Sequence, residues 1–250
     1  MTEWTGTADL HLHTHHSDGA PSVRALLEHV ATATTLNVIA ITDHDTIAGA
    51  REAQTLMRQT CYPFDLIMGE EISTRDGHLV GLFLHERIPP RMSARETVAA
   101  IHAQGGLAFA PHPFFRARQR EGQPVTMIGL GPAIRALTLD AIETINATPF
   151  LATANRHAQA YNKTTTGLPT LGNSDGHILA AVGKGYTRFP GTTARELRAA
   201  IQEGRTVASA HPYTMRELLA YLRFWLRRRP AFVPQPLDRI YDGRDTRAAS

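Results

Sequence analysis

Residues 38–45 read Val-Ile-Ala-Ile-Thr-Asp-His-Asp, four consecutive apolar residues followed by a polar group that contains a histidine. A short, continuous apolar run is typical of a strand that is covered on both faces, as in a parallel sheet. The segment that begins at Ser22 and the segment that ends near Gln59 flank this run and are patterned as helices. This alternation predicts an α/β fold with a parallel sheet, either open or closed into a barrel.

The arrangement of an apolar run that ends in ionisable side chains recurs along the chain. In the first run, strand alternation places Leu10 and Leu12 on one face, and His11 and His13 on the other. The carboxyl ends of parallel strands meet at one edge of the sheet, where the active sites of such folds lie. We therefore expect the ionisable groups of four more runs to be neighbours of His44: Thr7–His13, Leu66–Ser73, Leu107–Pro113 and Leu168–His177.

The amino-acid composition limits which kinds of metal site and which classes of protein are possible. The chain of 250 residues contains 13 histidines, and four of them fall between His11 and His16. Cys61 is the single cysteine, which excludes a disulfide framework and a cysteine-rich zinc site. No apolar run is long enough to span a bilayer, and the first residues lack the pattern of a secretory signal. We therefore expect a cytoplasmic protein without a membrane span.

Histidine and carboxylate side chains are the usual ligands of zinc, manganese and iron. One tetrahedral ion needs about four ligands, and the predicted edge offers more than that. Two or three ions that share a carboxylate would use them, and would activate a bridging hydroxide for attack on phosphorus. The candidates at the strand ends are His11, His13, Asp43, His44, Glu70, Glu71, His112, Asp175 and His177.

Five motifs together resemble one known family. They are His11-Leu12-His13 followed by Ser17-Asp18-Gly19, Thr42-Asp43-His44-Asp45, Gly69-Glu70-Glu71-Ile72-Ser73, His112-Pro113, and Ser174-Asp175-Gly176-His177. In order, spacing and type they resemble the polymerase and histidinol phosphatase (PHP) family, in its stand-alone metal-dependent phosphoesterase form. The resemblance extends from about Ala8 to Ser209.

The resemblance implies a distorted seven-stranded (β/α)7 barrel, which we place at residues 1–212. A short C-terminal helical extension is expected at residues 213–229, because Met215–Arg229 has a helical pattern that is rich in arginine. A weakly ordered tail is expected at residues 230–250, where proline and charge dominate.

The resemblance also implies a set of metal ligands. The first ion would be held by His11, His13, Glu71 and Asp175, and the second by Asp18, His44 and His177. His112 would serve a third ion, or bind phosphate if that ion is absent. Family members with three ions have a further histidine or cysteine where Asn146 stands here, and an amide is a poor ligand.

The sequence leaves three assignments open: which of Glu70 and Glu71 is the ligand, whether His78 is a ligand, and whether Arg116 binds phosphate. Pattern alone does not separate Glu70 from Glu71, although the family spacing favours Glu71. His78 could be a ligand or a hydrogen-bonded, half-buried histidine. Arg116 follows the His112 motif and could clamp a phosphate with paired hydrogen bonds, or lie in a solvated loop. The catalytic set is expected to be Asp18, His44, His112, His177 and Arg116.

The expected function is hydrolysis of the phosphate monoester of a small metabolite, such as a nucleotide or a bisphosphate nucleotide. The expected cofactors are two or three divalent ions of manganese, iron or zinc. Two alternatives use the same site, namely an exonuclease that shortens oligonucleotides and a non-catalytic metal-binding module. An exonuclease would be favoured by a lysine-rich or aromatic-interleaved track, which the sequence does not show.

Overall fold

The structure is a computed structural model that describes residues 4–115 and 129–227. The predictions made for Arg116 and for the tail at 230–250 lie outside the described residues. Within the described ranges, every helix is too short or too polar to cross a lipid bilayer.

Nine strands and six α-helices make up the described part of the chain. The strands are β1 (Gly6–Leu12), β2 (Val38–Ile41), β3 (Asp65–Ser73), β4 (His78–Leu82), β5 (Leu107–Ala110), β6 (Ala141–Asn146), β7 (Thr170–Asn173), β8 (Gly185–Phe189) and β9 (Val207–Ala210). The helices are α1 (Val23–Ala33), α2 (Ala48–Gln59), α3 (Ala94–Ala103), α4 (Ala152–Tyr161), α5 (Ala194–Gln202) and α6 (Met215–Arg227). Ser22 caps α1 as predicted, because its side chain accepts a hydrogen bond from the Ala25 N–H.

All nine strands belong to one sheet, in the order β7-β6-β5-β4-β3-β2-β1-β8-β9. The expected count of seven strands is therefore wrong. The strands β4, β8 and β9 pair antiparallel with their neighbours, whereas β1-β2-β3 and β5-β6-β7 are parallel. The count of seven was implied by the family resemblance. Motifs at strand ends do not fix how many strands pair at the edge of a sheet, and here β8 and β9 extend the sheet beyond β1.

The sheet curls until β7 reaches β1 and β8, which gives a barrel-like enclosure. The Asn173 side chain accepts a hydrogen bond from the Leu10 N–H at 2.9 Å. Gly176 exchanges backbone hydrogen bonds with His11 and His13, both at 3.0 Å. These hydrogen bonds bring the first and the last of the five motifs together, although His11 and Gly176 are 165 residues apart in sequence.

The strand β1 has an irregular register between Asp9 and Leu12. Leu10 packs inside the barrel with residues such as Phe109, whereas Leu12 packs with α1 on the outside. The expectation that these two leucines share a face is therefore wrong. His11 and His13 still point to the same side, since their Nε2 atoms lie 3.1 and 3.3 Å from Glu71 Oε2.

The barrel interior is a hydrophobic cluster to which every strand from β1 to β8 contributes. Leu197, Ala200 and Ile201 of α5 complete this cluster. The Ala194 N–H of α5 donates to the Asp65 carboxylate at the start of β3, at 2.8 Å. Helix α5 therefore closes the end of the barrel where the parallel strands begin, and the opposite end is left for the ionisable side chains.

Candidate metal centre

Nine ionisable side chains meet at the carboxyl ends of the barrel strands. They form overlapping groups whose donor atoms lie within 4.8 Å of one another. All eight residues that the family resemblance implied as metal ligands are among the nine, and His78 is the ninth. The set comprises His11, His13, Asp18, His44, Glu71, His78, His112, Asp175 and His177.

The Glu71 carboxylate lies at the centre of the cluster. Its Oε2 atom is 3.1 Å from His11 Nε2, 3.3 Å from His13 Nε2 and 3.4 Å from His44 Nδ1. Its Oε1 atom is 3.0 Å from His112 Nε2 and 2.8 Å from His78 Nδ1. A carboxylate with donors on both oxygens has the position that a bridging ligand requires.

Glu70 points away from the cluster, as alternation along β3 requires. Its Oε2 atom accepts a hydrogen bond from the Ile88 N–H at 2.8 Å. Burial raises the pKa of the Glu70 carboxyl to about 7, although the Ile88 N–H and the charge of Arg87 oppose the shift. The structure thus brings Glu71 to the site and places Glu70 in the surrounding framework.

Asp18 is carried into the cluster by the loop that follows β1. The Asp43 carboxylate holds this loop by accepting hydrogen bonds from the Thr14 N–H, the Thr14 hydroxyl and the Ser17 hydroxyl, each at 2.7 Å. Asp18 then lies 3.0 Å from His177 Nε2 and 3.8 Å from His44 Nε2. Asp43, which the motif analysis counted among the candidate ligands, therefore shapes the loop that positions Asp18.

Asp175 and His177 approach the cluster from the loop after β7. The His177 Nδ1–H donates to the Asp175 backbone carbonyl at 2.9 Å, which leaves Nε2 free to act as a ligand. Asp175 Oδ1 lies 3.3 Å from His13 Nε2 and 3.6 Å from His11 Nε2. Asp175 and His112 both adopt positive φ, at 52° and 27°. Strained backbone of this kind clusters at functional sites.

Glu143 supports the cluster from behind, a role that the sequence analysis missed. Its carboxylate lies 3.2 Å from His11 Nδ1 and accepts hydrogen bonds from the His112 N–H at 2.6 Å and from the Asn146 amide at 2.9 Å. A partner on Nδ1 orients the imidazole and leaves Nε2 for the metal. Asn146 also donates to Asp175 at 3.2 Å, so the amide orients a candidate ligand.

The carboxylates create a strongly negative environment that calls for a cation. Burial lowers the pKa of His11, but Asp175 and Glu71 outweigh this effect and raise it well above the ordinary value. The pKa of His13 rises to about 10 because its carboxylate neighbours likewise outweigh burial. Burial dominates at His44 and lowers its pKa to about 4, so this imidazole is neutral and available as a ligand near pH 7.

The donor set fits divalent metal ions. Among the described residues, neither ring nitrogen of His13 has a hydrogen-bond partner, although the side chain is fully buried. A buried polar atom without such a partner is rare, and a metal ligand is one of the situations that explains it. Imidazole and carboxylate donors suit zinc, manganese and iron.

A cavity of about 620 Å³ opens directly above the cluster. Its floor includes Asp18, His44, Glu71 and Asp175, and one wall is formed by α6. The ring of Phe224 on α6 lies 6.2 Å from the ring of His177. The opposite side is the loop after β6, from Thr148 to Leu151. Sequence reasoning placed α6 as a terminal helix but did not place it beside the site, because local pattern carries no information on where a helix docks.

Comparisons with known proteins agree with this geometry. A family model described as PHP-associated matches residues 152–206. The uncharacterized protein MJ1587 of Methanocaldococcus jannaschii is 38% identical over 151 residues, which cover 56% of this chain and 81% of that protein. A 5'-3' exoribonuclease of Haemophilus influenzae is 43% identical over 90 residues, which cover 34% of this chain and only 31% of that protein.

A solved structure shares the fold. It is a two-domain protein from Bacteroides vulgatus that contains a predicted PHP-like metal-dependent phosphoesterase. It superposes with a TM-score of 0.61 and 20% identity, over 82% of this chain and 64% of that one. With the five motifs gathered around one barrel end and a relative matched over most of its length, the chain belongs to the PHP domain family.

Proposed function

We propose that the protein is a metal-dependent hydrolase of small phosphate monoesters. The observation that carries the proposal is the convergence of six imidazoles and three carboxylates at one end of the barrel, where six of the nine residues line one cavity. Buried donors of this number are costly unless they hold cations. Divalent ions held there would polarise the phosphoryl oxygens and activate a water molecule near neutral pH.

We assign the donors to two principal ions. One set is His11, His13, Glu71 and Asp175, and the other is Asp18, His44 and His177. The distances support this division, because Glu71 and Asp175 are each within 3.6 Å of both His11 and His13. Glu71 Oε1, His78 and His112 form a third group of donors, for a third ion or for the phosphate itself.

The residues of the chain would fix the orientation of the substrate. His112 is buried, and its backbone N–H is held by Glu143, so its Nε2 has a defined direction towards Glu71. His177 is held at Nδ1 by the Asp175 carbonyl. Pre-organised donors of this kind position the phosphate without reorganisation during the reaction.

Similarity to an exoribonuclease over 34% of this chain makes nucleotides, bisphosphate nucleotides and short oligonucleotides candidate substrates. An exonuclease is therefore the second candidate. Single-stranded nucleic acids are usually bound in basic grooves that follow the backbone. Among the described residues that line the cavity there is no lysine or arginine, so this part of the chain does not show such a groove.

The test is phosphate release by metal-stripped protein resupplied with manganese, zinc or iron. Substrates would be nucleotides, bisphosphate nucleotides, alkyl phosphates, sugar phosphates and short oligonucleotides. We expect metal-dependent release from monoesters without shortening of the oligonucleotides. End-by-end shortening would establish the exonuclease instead. No release from any substrate, with two equivalents of metal bound, would leave a non-catalytic metal-binding module.

A further inference from the structure

One stripe of α6 faces the metal centre rather than the protein core. Met215, Leu218, Leu222 and Trp225 recur at intervals of three and four residues, which places them on one side of the helix. All four line the cavity above the cluster. An apolar stripe normally packs into the core, but Leu222 is 53% exposed and Met215 is 72% exposed.

A second apolar group faces the same cavity from the other side. Phe150, in the loop after β6, lines the cavity and is 99% exposed. Its φ of 76° is in the left-handed region, which a bulky side chain rarely adopts. Phe150 therefore offers apolar surface to a molecule that enters the cavity.

The wall is fixed to the barrel and is not a loose terminal segment. Tyr221, at the edge of the stripe, also lines the cavity, but it is 4% exposed and packs with Ile178 and Ala181. Lys184 Nζ lies 2.7 Å from Glu217 Oε2, and Glu217 also accepts a hydrogen bond from the Thr214 N–H at the start of the helix. The cavity therefore has a defined apolar wall and a defined polar floor.

We infer that this wall binds the leaving group of the substrate, and that this group is a hydrocarbon chain or ring. The inference rests on the proposed phosphoesterase function. A phosphate bound at the floor directs its ester oxygen out of the cluster, and the wall is the apolar surface continuous with that floor. Apolar contact gains free energy in proportion to the area removed from water.

A sugar or a nucleoside fits the wall less well. Met215, Leu218, Leu219 and Leu222 carry no conventional hydrogen-bonding group, so the hydroxyl of Tyr221 and the indole N–H of Trp225 are the polar side-chain groups that α6 brings to the cavity. The Thr148 hydroxyl, which also lines the cavity, is 3.4 Å from Asp175 and donates to it. Ribose hydroxyls and base edges lose water on entering such a surface, and an unpaired polar group is costly to bury.

Binding of phosphonates tests the inference without turnover. Trp4 and Trp225 are the two tryptophans of the chain, so Trp4→Phe leaves Trp225 as the single emitter on the wall. Metal-loaded Trp4→Phe protein would be titrated with methyl-, butyl- and hexylphosphonate and with an adenosine phosphonate, following Trp225 emission. We expect the dissociation constant to fall about two- to fourfold per methylene, the range for partial to full burial.

Two variants of α6 give a matched pair. Leu222→Gln places an amide on the wall, and we expect the dependence on chain length to be reduced at least by half. Leu226→Gln changes the same side chain type four residues later, at a position that is 77% exposed and does not line the cavity. This control is expected to keep the full dependence.

The outcomes separate this inference from the proposed function. Equal affinity for methyl- and hexylphosphonate, or tighter binding of the adenosine phosphonate, would overturn the hydrocarbon wall even if monoesters are hydrolysed. A clear dependence on chain length together with hydrolysis of monoesters would support the inference. The same dependence without hydrolysis would refute the phosphoesterase and would leave the wall as a binding surface for apolar groups, not for a leaving group. Trp225 emission that changes on dilution and not with hexylphosphonate would show that a second copy covers the stripe, and would also overturn the inference.

Discussion

The floor and the wall of the cavity differ in almost every respect. The floor is built from buried and half-buried histidines and carboxylates at the strand ends, and neighbours support it: Glu143 orients His11 and His112, and Asp43 holds the loop that carries Asp18. The wall is a single helix whose apolar side chains are about half exposed. The difference indicates a division of tasks, in which the barrel holds the chemistry and an added helix selects what reaches it.

Removal of a floor residue should have the largest effect. We expect His177→Ala to lose one equivalent of metal and to reduce hydrolysis roughly a thousandfold, since several kcal/mol of charge stabilisation would be lost. The barrel should stay folded because the His177 side chain is near the surface of the cluster. Elemental analysis, phosphate release and circular dichroism measure the three quantities. The exposed His85→Ala is the control, and full activity in a metal-depleted His177→Ala protein would contradict the assignment.

A change one layer below the floor should have a smaller effect. In Glu143→Gln, an amide replaces a carboxylate that is bonded to His11, His112 and Asn146, so at least one of these donors loses its acceptor. We expect metal affinity to fall about 10- to 100-fold, as for other residues that orient metal ligands. Competition with a chelator measures this. Glu52→Gln, at the surface glutamate bonded to His16, should leave the affinity unchanged.

Glu70, the neighbour of Glu71, should make the free energy of unfolding depend on pH. The pKa of Glu70 in the folded protein, about 7, is raised above its unfolded value. Its contribution to stability is therefore fully present below the unfolded pKa and is lost as pH rises to about 7, at up to about 1.4 kcal/mol per pH unit. Glu70→Gln cannot ionise, so its stability relative to the original protein should increase from pH 5 to pH 7 in urea unfolding. A constant difference across that window would contradict the buried, protonated carboxyl.

Removal of the ion pair that helps to hold α6 against the barrel should have the smallest effect on ligand binding. Lys184→Met removes the ion pair with Glu217, which is worth at most about 1 kcal/mol for a partly exposed pair. We expect faster hydrogen exchange in α6 and a modest loss of discrimination between hexyl- and methylphosphonate. Lys163→Met, at the other lysine of the chain, is the matched control. Unchanged exchange in α6 would mean that packing of Tyr221 alone fixes the helix.

The same division explains what the sequence could predict. His11, His44 and Asp175 follow apolar runs, and strand ends meet at one edge, so local pattern was enough to bring them together. The strand count was wrong because it was taken from the family resemblance, and the motifs that carry the resemblance do not record strands added at the edge of the sheet, such as β9. The roles of Glu143 and of Leu222 were missed because they depend on tertiary contacts, which no short pattern records.

The backbone at His112 and Asp175 restricts how this site can change. Both residues have positive φ. Among residues with a side chain, asparagine, aspartate and histidine tolerate this conformation best, and β-branched residues tolerate it worst. Most substitutions at His112 or Asp175 would therefore both remove a metal-ligand atom and strain the backbone of a turn. We therefore expect only histidine, aspartate or asparagine to be tolerated at these two positions. The leucines of α6 have no such backbone restriction, so we expect them to tolerate other apolar residues that suit another substrate.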